Sequence, residues 1–359
     1  MRRKERYILN GILLFAGSTI LLDVLRQWWE KRQQGLKLTW ENYDGQQTSK
    51  LAFRYGVIGG LLGYAYYSYR ISEESKLPFD ADEYLRKVLA HAHLKNDPTS
   101  LGKAIALKET VKKKLFCQYN DSLVSYPLDG GSFVKRTAIV SNYDMDIVLA
   151  FTKSSYSSLE EMYYDVYEML NRIFGDHAII RKHTKAISIS FELRSGDFID
   201  FDVVPAREIN DFRKDKDLNL YIRPDWIWQR GGSFKTNYSL QRNITTNLPD
   251  ARNTIKLLKI YRERNGLNIP TVVIEQCVVE GLSENNFGVH PYVTENLLNG
   301  MSFLAARLRH KLLTDFTNSN HNLNEKLSES NRLYISNMLQ RDIERIAQNP
   351  RYIREIFEL

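Results

Sequence analysis

Two aspartates at the start of an apolar stretch constrain this chain more than any other feature. Asp144 and Asp146 stand two residues apart, and residues 147–151 read Ile-Val-Leu-Ala-Phe. Alternate residues of a strand point to the same face, so this pattern predicts a strand that presents both carboxylates together. Two like charges this close stay ionised only beside a compensating cation. Carboxylate oxygens suit Mg²⁺, which binds through one or two carboxylates together with substrate phosphates.

A glycine-rich turn precedes this strand. Residues 130–137 read Gly-Gly-Ser-Phe-Val-Lys-Arg-Thr. Glycine leaves backbone N–H groups accessible, and a serine adds a hydroxyl, so a turn of this kind can cradle phosphate groups. Gly131 and Ser132 are therefore the candidate phosphate-binding residues.

A third carboxylate follows further along the chain. Residues 197–206 read Asp-Phe-Ile-Asp-Phe-Asp-Val-Val-Pro-Ala, with apolar side chains facing one way and Asp200 and Asp202 the other. A strand of this kind, lying beside the first, would bring Asp202 to the same metal ions. Asp200 takes that place if the register differs by two residues. Three carboxylates beside a phosphate-binding turn suit two-metal phosphoryl or nucleotidyl transfer.

The combined motif resembles the DNA-polymerase-β-type nucleotidyltransferases. Within them it is most similar to the branch that holds the 2′-5′ oligoadenylate synthases and the cyclic GMP-AMP synthase/DncV-like enzymes, over residues 80–310. The resemblance implies an α+β fold: a polymerase-β-like lobe with a mixed sheet and helices, then a helical second lobe. It also implies that Asp144, Asp146 and Asp202 are the catalytic, metal-binding residues for two Mg²⁺ or Mn²⁺ ions, with nucleoside triphosphates as substrates.

A basic helix is predicted over residues 250–265, with Asp250 as its cap. Arg252, Lys256 and Lys259 follow one another at helical spacing and form a basic stripe. In the resembled enzymes a helix in this position sends a basic residue to the triphosphate, and Lys259 fits that role best, followed by Lys256. A solvated basic face explains the stripe equally well.

Two apolar stretches lie near the start of the chain, at residues 7–25 and 51–71. Each is close to the roughly 20 residues that a membrane-spanning helix needs. We predict a two-helix transmembrane hairpin over residues 1–72, in the inner membrane, with the catalytic domain in the cytoplasm because basic residues precede the first helix. A cleaved signal peptide and a soluble helix pair are the alternatives. Small residues spaced by four let helices approach closely in lipid, and they leave self-association of hairpins open: Gly56, Gly59, Gly60 and Gly63.

Domain organisation follows from these features. The catalytic lobe is predicted over residues 79–206 and the helical second lobe over residues 207–359. The second Gly-Gly-Ser sequence, at residues 231–233, is followed by no Asp-x-Asp and is predicted to be a loop. The net charge of +7 fits a polyanionic substrate or a membrane surface. The two cysteines, Cys117 and Cys277, are predicted to be buried thiols outside any zinc site.

The function predicted from these features is a membrane-anchored nucleotidyltransferase. It would transfer a nucleoside monophosphate from a triphosphate to a ribose hydroxyl and make a cyclic or short linear oligonucleotide signal. The resemblance, together with the membrane hairpin, suggests bacterial antiphage defence. Two alternatives remain: a nucleotide-sensing membrane effector, and a terminal nucleotidyltransferase that acts on RNA. Nucleic acid is an expected activator or acceptor, and membrane lipid an expected partner of the hairpin.

Overall fold

The computed structural model describes residues 3–33, 37, 39, 43–75, 78–93, 98–140, 145–193, 196, 198–224, 231–325 and 327–359. Asp144, a predicted catalytic residue, lies outside these residues. The chain divides into two compact units. The first comprises residues 1–84, 263–266 and 344–359, and the second comprises residues 85–262 and 267–343.

The first unit is built on a pair of long antiparallel helices, α1 (Arg3–Gln33) and α2 (Gly45–Ser75). Both predicted apolar stretches fall within them. Glycines make their close packing possible: a Cβ added to Gly11 would lie 2.1 Å from the carbonyl oxygen of Gly59, and one on Gly63 would lie 2.3 Å from that of Tyr7. The glycine face of α2 is therefore buried against α1 of the same chain.

The outer surface of this helix pair is apolar. Large side chains stand more than half exposed on both helices: Leu13, Leu14, Leu21, Leu22, Phe53 and Leu61. By length and composition, Lys4–Gln33 can cross a membrane, since its most apolar 18 residues have a mean hydropathy of 2.0. Among the described residues it is the single helix that passes this test. The prediction of two spans is thus supported for α1 only. In α2, Arg54 and several tyrosines lower the hydropathy.

One charged residue interrupts the apolar stretch of α1, and it is fully partnered. Asp23 is 5% exposed and accepts a hydrogen bond from the hydroxyl of Thr48 on α2 at 2.6 Å. Gln27 donates to the same carboxylate at 2.8 Å, and Arg26 pairs with it at 2.9 Å. Buried charges need partners of this kind, so the cluster joins the two helices near their connection.

The second unit contains a seven-stranded mixed sheet. In chain order the strands are β1 (Leu128–Gly130), β2 (Asp146–Phe151), β3 (Ile179–Lys182), β4 (Ile187–Glu192), β5 (Phe198–Glu208), β6 (Leu218–Ile222) and β7 (Gly232–Thr236). The main path runs β1-β2-β5-β4-β3, and β6 joins β5 to β7. The β2–β5 pair is parallel, whereas the other pairs are antiparallel.

The other α-helices, in chain order, are α3 (Ala81–His91), α4 (Pro98–Tyr119), α5 (Gly131–Val134), α6 (Leu159–Phe174), α7 (Tyr238–Asn247), α8 (Pro249–Arg264), α9 (Thr271–Gly281), α10 (Val293–Arg309), α11 (Glu329–Gln348) and α12 (Ile353–Ile356). A small hairpin, β8 (Thr314–Asp315) and β9 (Asn318–Asn322), separates α10 from α11. The predicted α+β class, with a mixed sheet and helices, is confirmed.

The two faces of the central strands belong to different cores. On one face, Ile147 of β2 and Phe201 of β5 pack with α6 side chains such as Val166. On the other face, Val148 and Val204 belong to a second, smaller core. Because side chains alternate, Asp146 and Asp202 point to the same side as that smaller core. The strand pattern thus delivers both aspartates to one face.

Three local expectations differ from the structure. The second Gly-Gly-Ser sequence lies not in a loop but partly in strand β7, which pairs with β6. Strands β6 and β7 therefore extend the sheet beyond Ala206, where the catalytic lobe was predicted to end. That lobe boundary stays a prediction. Residues 314–322 contain the β8–β9 hairpin within a region expected to be helical. Cys277 is buried as predicted, whereas Cys117 is exposed, because it lies on the outer face of α4.

Candidate active site

The parallel pairing of β2 with β5 brings two aspartates side by side. Asp146 and Asp202 are register partners, at the point where both strands begin to pair. Both residues are half-buried. Asp200 lies two residues earlier, opposite Ser190 of β4, and no described residue of β2 is its register partner. The register therefore places Asp202, and not Asp200, beside Asp146.

Strand β1 brings the glycine-rich turn to the same place. Gly130 is the register partner of Asp146. A Cβ added to Gly130 would lie 3.0 Å from the Cβ of Asp146 and 3.1 Å from Cε1 of Tyr238. The glycine therefore makes room for a tyrosine ring next to the aspartates.

Tyr238, the first residue of α7, is a site residue that the sequence analysis missed. Burial raises the pKa of its hydroxyl, and the nearby charges of Asp146 and Asp202 raise it further. The phenol therefore stays protonated, within electrostatic reach of both carboxylates. The signal in the sequence was its place five residues after the second Gly-Gly-Ser segment, which was predicted to be a loop.

The start of α7 is fixed by Asn237. Its side-chain oxygen accepts a hydrogen bond from the backbone N–H of Leu240 at 2.9 Å, which caps the helix. Its amide nitrogen donates to the carboxylate of Asp217 and to the carbonyl of Asp215, both at 2.8 Å. These bonds tie the position of the Tyr238 ring to the end of the sheet.

The glycine-rich turn is compact. Gly131 has a φ of +77°, in the region that only glycine adopts freely, and it opens the short helix α5. Ser132 is 2% exposed, and its carbonyl accepts from the backbone N–H of Thr137 at 3.0 Å. Arg136, also with a positive φ, lies between them in the chain. The two predicted phosphate-binding residues, Gly131 and Ser132, follow strand β1. Because β1 pairs with β2, they lie beside Asp146, and β2 separates them from Asp202 on β5.

A buried cluster of charges holds the end of this turn. Lys259 is completely buried, and its Nζ donates to the carbonyl and hydroxyl oxygens of Thr137 at 3.0 and 3.1 Å. Oε1 of Glu275 lies 3.3 Å from the same Nζ and accepts from the Thr137 hydroxyl at 3.0 Å. Its other oxygen pairs with Lys135 at 2.5 Å. The structure thus places Lys259 beneath the turn, bonded to protein groups.

Charge and burial set the protonation of this cluster. Burial alone raises the pKa of Glu275, but the adjacent charges of Lys135 and Lys259 outweigh it and hold that pKa below its ordinary value. The carboxylate therefore stays ionised. Lys256, the other predicted triphosphate contact, is half-buried, and burial together with Arg252 lowers its pKa.

A cavity of about 250 Å³ lies beside the turn. Phe234 and Phe316 give it aromatic walls, Lys135 and Lys185 add positive charge and Glu275 and Asp315 negative charge, and Gln241 of α7 also lines it. The Nζ of Lys185 lies 3.1 Å from the centroid of the Phe234 ring. Aromatic walls of this kind suit a ligand with a planar ring.

The structure describes two of the three predicted metal ligands. Among the described residues, no three His, Cys, Asp or Glu side chains gather as metal ligands. Asp146 and Asp202 form a pair, and Asp144, the third predicted ligand, lies in the gap before Met145. Paired carboxylate oxygens beside a phosphate-binding turn are the donor chemistry that Mg²⁺ prefers. The pair therefore fits magnesium.

Comparison of sequences identifies no relative: no protein-family model and no curated protein matches the chain. Comparison of structures does. The CD-NTase CdnG of Bradyrhizobium diazoefficiens, solved in complex with GTP, superposes with a TM-score of 0.60 at 12% identity, covering 77% of this chain and 95% of that chain.

Two further solved structures are similar. CdnC of E. coli MS115-1, in its HORMA-deltaN complex, gives a TM-score of 0.56 at 16% identity, covering 76% of this chain and 96% of that chain. E. coli DncV in its 3′-deoxy GTP bound form gives 0.50 at 15% identity, covering 65% and 68%. The chain therefore has the fold of the cyclic GMP-AMP synthase/DncV-like nucleotidyltransferases, as the Gly-Ser and aspartate motifs predict.

Proposed function

We propose that this protein is a nucleotidyltransferase that uses nucleoside triphosphates to make a cyclic or short linear oligonucleotide. One observation carries the proposal: Asp146 and Asp202 stand in register beside the Gly130–Ser132 turn, within a CD-NTase fold. An in-register aspartate pair is not needed for the sheet to form, since like charges side by side destabilise it. A functional demand explains why both are present.

The aspartates are assigned to the metal site. Asp144, Asp146 and Asp202 would hold two Mg²⁺ or Mn²⁺ ions, which when bound neutralise phosphate charge and make a ribose hydroxyl more acidic. Asp202 is also assigned as the acceptor of the proton of that hydroxyl, as the oxygen attacks the α-phosphate and pyrophosphate leaves. The hydroxyl of Tyr238, kept protonated by burial, can donate a hydrogen bond beside the pair.

The phosphate-binding assignments follow the positions of the residues. Gly131 and Ser132 are assigned to the donor triphosphate, with Lys256 as a further contact. Lys259 is assigned a supporting role, because its ammonium group already bonds to Thr137 and Glu275. It acts on the phosphates through the turn that it holds.

The cavity with the aromatic walls is assigned to the nucleotide. Its volume of about 250 Å³ is just below the roughly 300–1,000 Å³ that is usual for small-molecule sites. The aromatic walls offer a ring face on which a base can stack, and Lys185 can meet its phosphates, whereas Lys135 is already paired with Glu275. Gln241, one helical turn after Tyr238, offers an amide for hydrogen bonding to the base.

The helix pair is assigned to the membrane. α1 has the length and hydropathy of a span, and the exposed leucines of both helices form a lipid-compatible surface. We place the protein in the inner membrane with its catalytic unit in the cytoplasm, in an antiphage signalling role. Self-association of hairpins would have to use the outer face, since the glycine face of α2 is occupied by α1.

The decisive experiment is a product assay with the full chain in detergent. The protein is incubated with Mg²⁺ or Mn²⁺ and all nucleoside triphosphates, with and without RNA, and products are resolved by mass spectrometry. A phosphatase-resistant product indicates a cyclic signal, and a phosphatase-sensitive ladder a linear one. Extension of the added RNA would instead favour the terminal transferase, and nucleotide binding without turnover the sensor.

Matched variants connect the product to the site. Asp146→Asn and Asp202→Asn should each reduce turnover roughly 100-fold or more, because several kcal/mol of transition-state stabilisation is lost. Asp200→Asn, on the same strand and face, is the control and should retain activity. Undiminished product from the Asp146 and Asp202 variants would rule out this assignment.

A further inference from the structure

The second unit contains another cavity, of about 310 Å³, that shares no lining residue with the one beside the turn. Its walls come from three helices. Arg86 belongs to α3, Asp250 and Thr254 to the start of α8, and Asn296 to the start of α10, with His290 in the loop before α10. None of these residues has a part in the proposed transfer reaction.

Two helix starts meet at this cavity. α8 begins at Pro249 and α10 at Val293, and residues of both first turns line the wall. The start of a helix carries unpaired backbone N–H groups and partial positive charge, which favour anions. Tyr292, the residue that precedes α10, makes no side-chain capping bond. The guanidinium of Arg86 adds positive charge to the same cavity.

A buried hydroxyl provides the independent sign of a ligand. Thr254 lines the cavity and is completely buried, yet its Oγ1 has no hydrogen-bond partner among the described residues. Its methyl group faces Gly300 of α10, where an added Cβ would come within 2.7 Å. A buried hydroxyl without a partner costs about 1–3 kcal/mol. A ligand with a polar group in the cavity removes that cost.

The wall of the cavity is held in place. Asn296, 5% exposed, accepts a hydrogen bond from the backbone N–H of His290 at 2.8 Å and donates to its carbonyl at 2.7 Å. Nδ1 of the His290 ring accepts from the backbone N–H of Tyr292 at 3.3 Å, so the proton of the neutral ring is on Nε2. A loop fixed in this way needs little ordering when a ligand binds.

Asp250 narrows the class of ligand. Its exposed carboxylate sits on the same wall and would repel an anion placed next to it. We propose that this cavity binds a small molecule with a phosphate or carboxylate group directed to Arg86 and the start of α10, and a hydrogen-bond donor directed to Asp250. α8 also carries Lys259, so the ligand contacts the helix that holds the Gly-Ser turn.

The test uses the full chain in detergent, with a non-hydrolysable ATP analogue at saturation to block the other cavity. Inorganic phosphate and glutamate are the two probes, added up to about 50 mM, well above the ~1 mM range of weak binding. Binding is measured as a rise in melting temperature and by calorimetry. If only phosphate binds, the anionic group of the ligand is a phosphoryl group. If only glutamate binds, it is a carboxylate. Failure of both probes to bind would overturn the proposal.

Three variants separate this site from a general effect. Thr254→Val should weaken binding about five- to tenfold, the worth of one hydrogen bond, without lowering the melting temperature of the free protein. If the hydroxyl had a structural role, Thr254→Val would instead lower the melting temperature of the free protein. Arg86→Lys should weaken the binding of both probes. Asp250→Asn should weaken the binding of glutamate, whose ammonium group the Asp250 carboxylate would meet, and should strengthen the binding of phosphate. If none of the three variants changes the affinity for either probe, the probes bind elsewhere on the protein and the proposed site is refuted.

Discussion

Replacing Glu275 with glutamine tests how the glycine-rich turn is held. The carboxylate bonds to Lys135 at 2.5 Å and to Thr137 at 3.0 Å, and lies 3.3 Å from Lys259. Glutamine keeps the shape but removes the charge, which leaves two lysines without their counter-ion. Loss of one partner of a buried pair costs about 3–5 kcal/mol. We expect about 3 kcal/mol, since the side chain of Lys135 keeps 16% exposure while that of Lys259 has none.

Thermal unfolding of the full chain measures this loss. About 1 kcal/mol corresponds to roughly 2–4 °C in domains of about 150–250 residues, close to the size of the second unit, so its melting temperature should fall by roughly 6–12 °C. Glu280→Gln is the control on the same helix. Glu280 lies 3.5 Å from Arg307, with side-chain exposures of 28% and 32%, and such a pair contributes at most about 1 kcal/mol. Equal losses in the two variants would refute the argument.

The pH dependence gives a second check on Glu275. The lysines outweigh burial and hold its folded-state pKa below the ordinary value of 4.5. Its contribution is therefore fully present above that value and is lost as the pH falls through the folded-state pKa. The stability difference between the wild type and Glu275→Gln should be largest near neutral pH and should narrow in acid. A difference that stays constant down to acid pH would contradict the assigned charge state.

Three other predictions concern packing and thiols. Gly130→Ala should abolish most turnover, because the new methyl would lie 3.1 Å from the ring of Tyr238, and a product assay beside a folding control checks it. Ala16→Cys with Gly56→Cys, in a chain lacking Cys117, should cross-link within one chain, since the Cβ positions lie 3.5 Å apart; a gel shift reports it. Of the native thiols, Cys117 alone should react with a thiol reagent before unfolding.

The local patterns predicted the strands near the site well. Alternating apolar residues marked β4 and β5, and the same period put Asp202 on the opposite face from Phe201. The sequence did not reveal β7, because Gly-Ser-Phe-Lys-Thr has no apolar alternation and the strand is held by pairing with β6. Strands of this kind depend on their neighbours more than on their own residues.

The position of Lys259 could not be read from the chain for a related reason. Its helical stripe with Lys256 looked the same whether it faced solvent or phosphate. The residues that decide the matter, Thr137 and Glu275, come from distant segments, and only the fold brings them to the amine. Tyr238 was missed likewise, since its neighbour Gly130 is far away in sequence.

The parallel pairing of β2 with β5 also governs when the site can exist during synthesis. Asp146 leaves the ribosome well before Asp202, and β3, β4 and α6 come between them. Contacts so distant in sequence form late, because the loop between them must first be closed. A nascent chain that ends before β5 carries the turn and the first strand but not the carboxylate pair. The metal site that we propose therefore cannot be complete on such a chain.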